Sequence, residues 1–172
     1  MKDELERLYQ TMYSSVVRFL YRKVWDADRA EDLAQEVFIR AMAHKPEKPR
    51  AWIFAVAANL ARDEARAAIR RRKHLTLLSN DPVAVASAEI PIDEQVEHDE
   101  RKELVQEALA ELSSRDREVL LLWDAGLSYA EIADQSGLAV GAVGTTLARA
   151  RRRLLEVYDR QEQGRRKHAA HS

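Results

Sequence analysis

Three groups of side chains in this sequence have types and spacings that could do chemistry, and in each the chemistry is recognition rather than bond making. Arg62 and Arg66 lead into a run of Arg70, Arg71, Arg72 and Lys73, and residues 149–153 gather a second basic block. Such charge suits phosphate, whose attraction positions a nucleic acid without specifying its sequence. Helix ends favour cations by a few tenths of a kcal/mol each, a preference that six of them exceed. Asn59 precedes the first block among small apolar residues, with Asp63 one turn on. Its amide offers two donors and an acceptor, enough to read a nucleobase edge; a local cap or kink is the plainer alternative. Asp32, Gln35 and Glu36 stand three and four residues apart and so share a helix face. That patch could meet a basic partner or a hard metal ion, or simply face solvent.

Other chemistry is poorly supplied. The 172 residues include no cysteine, which removes disulfides and thiolate metal sites. His168 and His171 could share a helical face, but no further ligands accompany them, and no glycine-rich phosphate loop is present. The expectation is therefore a protein that is not an enzyme and carries no cofactor or metal. Charge is nearly balanced, 28 basic against 29 acidic residues, yet unevenly placed. Positions 74–100 hold seven acidic residues and neither Lys nor Arg, so an acidic stretch separates the basic blocks. No run approaches the ~20 apolar residues of a membrane span. Asp3, Glu4 and Glu6 rule out a signal peptide, so a cytoplasmic protein is expected.

The elements that must position these side chains all read as helices, since Gly and Pro are few and no β-branched run alternates. Leu5, Leu8, Tyr9, Met12, Val16, Phe19 and Leu20 recur at helical spacing in a first amphipathic helix to about Val24. After the break at Trp25-Asp26-Ala27, Asp28 with Glu31 has the cap-plus-three arrangement of a second helix running to about Ala43. Its apolar sector takes Leu33, Val37, Ala41 and either Phe38 or Ile39. Prolines at 46 and 49 demand a connection. Residues 50–72 form a third helix, with Trp52, Ile53, Val56, Ala57, Leu60 and Ala61 apolar. Residues 76–95 read as a linker with two prolines and no sustained period. Helical spacing returns over 96–112, and Ser113 or Ser114 caps a short helix ending before Gly126. From Gln161 the polar tail is expected to fray.

The stretch 128–155 is the most structured signal. Ser128 and Glu131 make a capping box, Tyr129, Ile132 and Ala133 supply an apolar stripe, and Gly137 ends a helix of about two turns. Val140, Val143, Leu147, Ala150 and Leu154 then resume the period, while Thr145, Arg149, Arg152 and Arg153 point elsewhere. A short helix, a tight turn and a longer basic helix make a helix-turn-helix, whose second helix would enter a DNA major groove. An ordinary helical hairpin with a solvated arginine face is the alternative.

Together these stretches resemble the extracytoplasmic-function sigma factors, small bacterial RNA polymerase initiation factors. The resemblance spans roughly residues 5–157. It is carried by A-E-D-L-A-Q-E-V-F-I-R-A at 30–41, P-R-A-W-I-F-A-V-A-A-N-L-A-R-D-E-A-R at 49–66, and A-L-A-E-L-S-S-R-D-R-E-V-L-L-L through L-S-Y-A-E-I-A to R-A-R-R-R-L at 108–154. It implies an all-α fold of two small helical domains joined by a flexible acidic linker, the second a four-helix domain with the helix-turn-helix. The boundaries would be 1–75, a linker 76–95, 96–160 and a tail 161–172.

The implied partners are core RNA polymerase, through its β′ coiled coil and its β subunit, promoter DNA, and an anti-sigma factor. Asp32, Gln35 and Glu36 match the family surface that docks on the β′ coiled coil. Asn59 matches the position that holds a flipped non-template base of the minus-ten element, and Arg62, Arg66, Arg70 and Arg71 match the segment engaging DNA beside it. Gly144, Thr145, Ala148, Arg149 and Arg152 match the minus-thirty-five reading helix. Many relatives carry basic residues where Gly144 and Thr146 stand. That departure implies either close backbone approach to DNA upstream or a weak upstream contact with more specificity in the first domain; the second is favoured. A linker of about 20 extended residues reaches at most roughly 66–72 Å, ample for ~50 Å of intervening duplex. A conventional helix-turn-helix regulator would bind a palindrome as a dimer and leave residues 30–41 and Asn59 without a task. A helical adaptor would leave both basic blocks without one.

Overall fold

The computed structural model describes residues 2–78 and 94–171, which form seven α-helices and, among the described residues, no strand. These are α1 (Lys2–Val24), α2 (Ala27–His44), α3 (Pro49–Leu78), α4 (Glu94–Ala110), α5 (Ser114–Asp124), α6 (Tyr129–Ser136) and α7 (Val140–Ala169). They divide into two compact units, one built on α1 to α3 and the other on α4 to α7. The linker expected over 76–95 falls mostly on 79–93, outside the described residues; its two ends are helical, within α3 and α4.

In the first unit each helix packs on the other two. Val16, Phe19 and Leu20 of α1, Leu33, Val37 and Phe38 of α2, and Ile53 and Phe54 of α3 are buried together, with Phe19 edge-on to Phe54 at 5.4 Å. Burying each such side chain contributes about 1.5–3 kcal/mol, and Ala30, Ala34, Ala41, Ala57 and Ala61, all buried, let the helices approach closely. The cap of α2 is Asp26 rather than Asp28. Its carboxylate accepts from the Arg29 backbone N–H at 2.9 Å, which leaves Asp28 as a first-turn acid at the positive end of the helix dipole. Lys45 closes the same helix in the left-handed conformation, φ 48°, donating its N–H to Ala41, and Pro46 follows.

The second unit places α4 and α6 against α7. Leu104, Ala108, Leu109, Val119, Leu122, Ile132, Val143, Leu147, Ala150 and Val157 are buried there. The turn between α4 and α5 is held by Arg117, which donates to the carbonyls of Leu109, Ala110 and Leu112 at 2.8–3.2 Å and so satisfies the open end of α4. Ser128 accepts from the Glu131 N–H and Glu131 from the Ser128 N–H, completing the capping box, and Gly137 sits at φ 70°.

The tail does not fray at Gln161: α7 continues to Ala169. Its polar sequence is stabilised laterally rather than by an apolar stripe. Arg160 pairs with Glu111 at 2.7 Å, and Arg165 pairs with Glu107 and Glu103 at 3.3 and 3.4 Å, zipping the end of α7 to the acidic side of α4.

Candidate docking face and nucleic-acid interface

On α2, Asp32 and Gln35 are exposed and Glu36 half-exposed, pairing with Arg40 one turn on. The Tyr13 hydroxyl is hydrogen bonded to Gln35, and burial pushes that phenol above its usual pKa despite the bond. Tyr13 also packs in a ring cluster with Tyr9 and Phe38, at 4.8 and 5.9 Å, so Gln35 is oriented from the core side. The choice between Phe38 and Ile39 resolves clearly: Phe38 is buried, whereas Ile39 is 61% and Met42 51% exposed. These two continue the face of Asp32, Gln35 and Glu36 toward the end of α2, since positions 32, 35, 36, 39 and 42 follow helical spacing. The sequence reading missed them because an apolar residue beside a core position looks like core; the signal available was their four-residue continuation of the polar patch.

On α3, Asn59 is exposed although Ala58 and Leu60 beside it are buried. The helix runs unbroken through it, so it marks no kink. At about 100° per residue, Asn59, Arg62, Arg66, Arg70 and Lys73 fall on one stripe about 80° wide, and all five are exposed. Arg71 leaves that stripe and reaches Glu64 at 3.3 Å. Glu64 also receives Arg29 of α2 at 2.8 Å, and the Arg29 hydrogen bond holds its carboxyl below the ordinary value against the opposing effect of burial. Arg71 is thus partly withheld by the protein itself.

On α7, Thr145, Ala148, Arg149 and Arg152 are exposed along the side away from the core. Thr146 is 6% exposed, so this chain has no contact to offer at that position. Gly144 is half-buried beneath Tyr129, whose ring carbon Cε2 would lie 3.4 Å from a Cβ built there. Tyr129, expected in the apolar stripe of α6, is instead 46% exposed over the start of α7. Arg151 lies over the Trp123 ring at 4.9 Å. Arg149 is held in two hydrogen bonds by Asp116 of α5, a side chain the sequence did not single out. No spacing rule connects residues 33 positions apart. Among the described residues no cluster of three or more His, Cys, Asp or Glu could hold a metal, and no helix is long and apolar enough to cross a membrane.

The described residues thus present an acidic and apolar patch on one helix, an amide within a basic stripe on the next, and a helix-turn-helix in the other unit. The family models for sigma-70 region 2 and sigma-70 region 4 match residues 8–73 and 102–154. The chain is similar to the ECF RNA polymerase sigma factor SigM of Bacillus subtilis, 30% identical over 161 residues that cover 91% of this chain and 96% of that one. It is similar also to the ECF RNA polymerase sigma factor SigL of Mycobacterium tuberculosis, 34% identical over 158 residues covering 87% and 86%. Among solved structures it resembles the sigma factor RpoE of Bartonella quintana, solved with the anti-sigma factor NepR, with a TM-score of 0.63 and 26% identity over 92% of this chain and 98% of that one.

Proposed function

Because this chain belongs to the sigma-70 family, among its extracytoplasmic-function sigma factors, we propose that its two units divide between them the recognition and opening of promoter DNA. The protein binds core RNA polymerase, recognises promoter DNA and promotes strand opening for transcription initiation. Its part is binding throughout, with no catalytic step of its own, in the cytoplasm where polymerase works.

Asp32, Gln35 and Glu36, extended by Ile39 and Met42, form the face that docks on the β′ coiled coil, and the β subunit takes further contacts. Carboxylates steer a basic partner, and the two apolar side chains supply area that leaves water on docking. Asn59 receives an extruded base of the minus-ten element. Extrusion costs a few kcal/mol for unpairing and unstacking, and an amide that binds only the extruded base offsets that cost at the right sequence alone, so recognition and melting are coupled. Arg62, Arg66 and Arg70 hold the adjoining backbone, with Arg71 released from Glu64 as phosphate competes for it. Thr145, Ala148, Arg149 and Arg152 face the minus-thirty-five element.

The observation that carries this reading is the exposed Asn59 lying in one stripe with Arg62, Arg66 and Arg70 on a helix whose opposite side is core. An anti-sigma partner is also proposed. RpoE of Bartonella quintana was solved with one, and Ile39 and Met42 here remain exposed until something covers them.

The test is in vitro transcription with purified protein, sigma-free core polymerase and sheared genomic DNA, with RNA 5′ ends sequenced. Discrete starts sharing two upstream elements, absent without the protein, are expected. Failure with polymerase that is active on another sigma factor, together with tight binding of a palindrome by the protein alone, would replace this reading with a conventional regulator.

A further inference from the structure

Arg149 does not stand loose on the reading helix. Its Nη2 donates to Asp116 Oδ1 at 2.6 Å and its Nε to Oδ2 at 3.3 Å, so one whole edge of the guanidinium is committed to the carboxylate. Asp116 is only 8% exposed, anchored in the first turn of α5, where its backbone N–H donates to Ser113 Oγ at 3.1 Å. The Arg149 side chain is nonetheless 54% exposed. Pairing through Nε and Nη2 leaves the remaining edge, Nη1 with the second hydrogen of Nη2, as two parallel donors on a helix where Thr145, Ala148 and Arg152 are also exposed.

That edge has a defined complement. In the major groove guanine presents two adjacent acceptors, O6 and N7. Adenine sets a donor beside its acceptor, cytosine presents a donor, and thymine one acceptor and a methyl group. A guanidinium free to swivel finds phosphate as readily as any base. One fixed at its other edge cannot follow the backbone and discriminates by the base it faces.

We propose that Asp116 is a positioning residue that locks Arg149 for reading a guanine in the upstream promoter element. The proposal rests on α7 being the helix that faces that element. It assigns this chain one upstream position with a strong guanine preference, set by a carboxylate that touches no DNA. It also offsets the absence of a side chain at Gly144 and the burial of Thr146: with two reading positions silent, the remaining arginine is held rigidly.

The experiment uses the full chain with core polymerase on a promoter library randomised across the upstream element, the downstream element held constant, with transcribed templates sequenced. The wild-type protein should enrich guanine roughly tenfold at one upstream position. Asp116→Asn, Arg149→Ala and Arg149→Lys should each reduce that enrichment below about twofold at that position, while preferences at other upstream positions persist. The double variant Asp116→Asn with Arg149→Ala should lose no more than either single one, because the two act as a unit. Asp116→Asn that keeps the enrichment lost in Arg149→Ala would overturn the proposal. Even loss at every upstream position, with a lowered melting temperature, would overturn it too, by making the pair a clamp between α5 and α7 only. Wild-type initiation that depends on the downstream element but shows no Arg149-sensitive guanine would overturn it while leaving the sigma reading intact. No polymerase-dependent initiation at all would overturn both.

Discussion

Arg29, near the start of α2, and Glu64, halfway along α3, meet in an ion pair of 2.8 Å in which the Glu64 side chain is only 16% exposed. The pair is the centre of a four-residue chain of charge. Arg29 lies 4.0 Å from Asp32 on the same helix, and Glu64 lies 3.3 Å from Arg71 at the basic end of α3. The helix that carries the proposed docking face is thereby fixed to the helix that carries the basic stripe.

That fixation should appear as a pH-dependent stability. The Arg29 hydrogen bond depresses the Glu64 carboxyl, outweighing burial. A carboxylate whose folded-state pKa is lowered stabilises the fold above its unfolded value, ~4.3, and loses that contribution as pH falls through the folded value. Glu64→Gln should therefore cost about 1–2 kcal/mol at neutral pH, with the gap to wild type closing below about pH 4. Urea unfolding followed over pH 7 to 2.5 measures it. A gap unchanged by acid would mean that Glu64 acts by packing, not charge.

Charge reversal at Asp32 and Glu36 should lower affinity for core polymerase at least tenfold, and Ile39→Asp should do so independently by wetting the exposed apolar end of the same face. Both variants should fold normally, since none of these side chains is buried. Binding of labelled protein to core polymerase gives the answer. Undiminished affinity in the double reversal would remove the carboxylates from the docking face.

Asn59→Ala should have the opposite profile. Polymerase affinity stays at wild type, while open-complex formation, read by permanganate reactivity of unpaired thymines, falls by roughly 5- to 100-fold, the range that loss of one good base contact gives. The side chain is exposed and Ala is the better helix former, so the fold gains rather than loses. Equal loss of binding and opening would count against the base contact.

How much of this was legible in sequence depended on whether the determinant was local. The Ser128 capping box and the Gly137 stop were readable because each is closed within four residues. The start of α2 was placed two residues late, since Asp26 and Asp28 are both acceptable caps and only backbone geometry chooses Asp26. The end of α7 was missed because its stabilisation comes from Glu103 and Glu107 on α4 and from Glu111 in the turn after it, which no periodicity within α7 can reveal. Asn59 stood out as a polar residue in an apolar run. Asp116 did not, since an acid in a first turn already has a reason to be there, and its pairing with Arg149 exists only in the folded unit.

Gly144 separates the two accounts of upstream recognition. A Cβ there would sit 3.4 Å from the Tyr129 ring, an ordinary contact, so Gly144→Ala fits without displacing the ring. Ala in a helix interior is favoured over Gly by about 0.8–1 kcal/mol, and the variant should be more stable by that amount. If DNA came against the bare backbone at 144, the added methyl would weaken binding to the upstream element. Since Tyr129 already covers that position and Arg149 is held by Asp116, upstream affinity should instead stay within twofold of wild type. Gly144→Arg should go further: the new side chain passes the exposed Tyr129 ring, adds a phosphate contact, and steepens the salt dependence of upstream binding by ~0.9 in the log–log slope. Fluorescence anisotropy on an upstream-element duplex from 50 to 300 mM salt reads both variants. A loss of upstream binding in Gly144→Ala would establish close backbone approach and return the minus-thirty-five element to a larger share of the specificity.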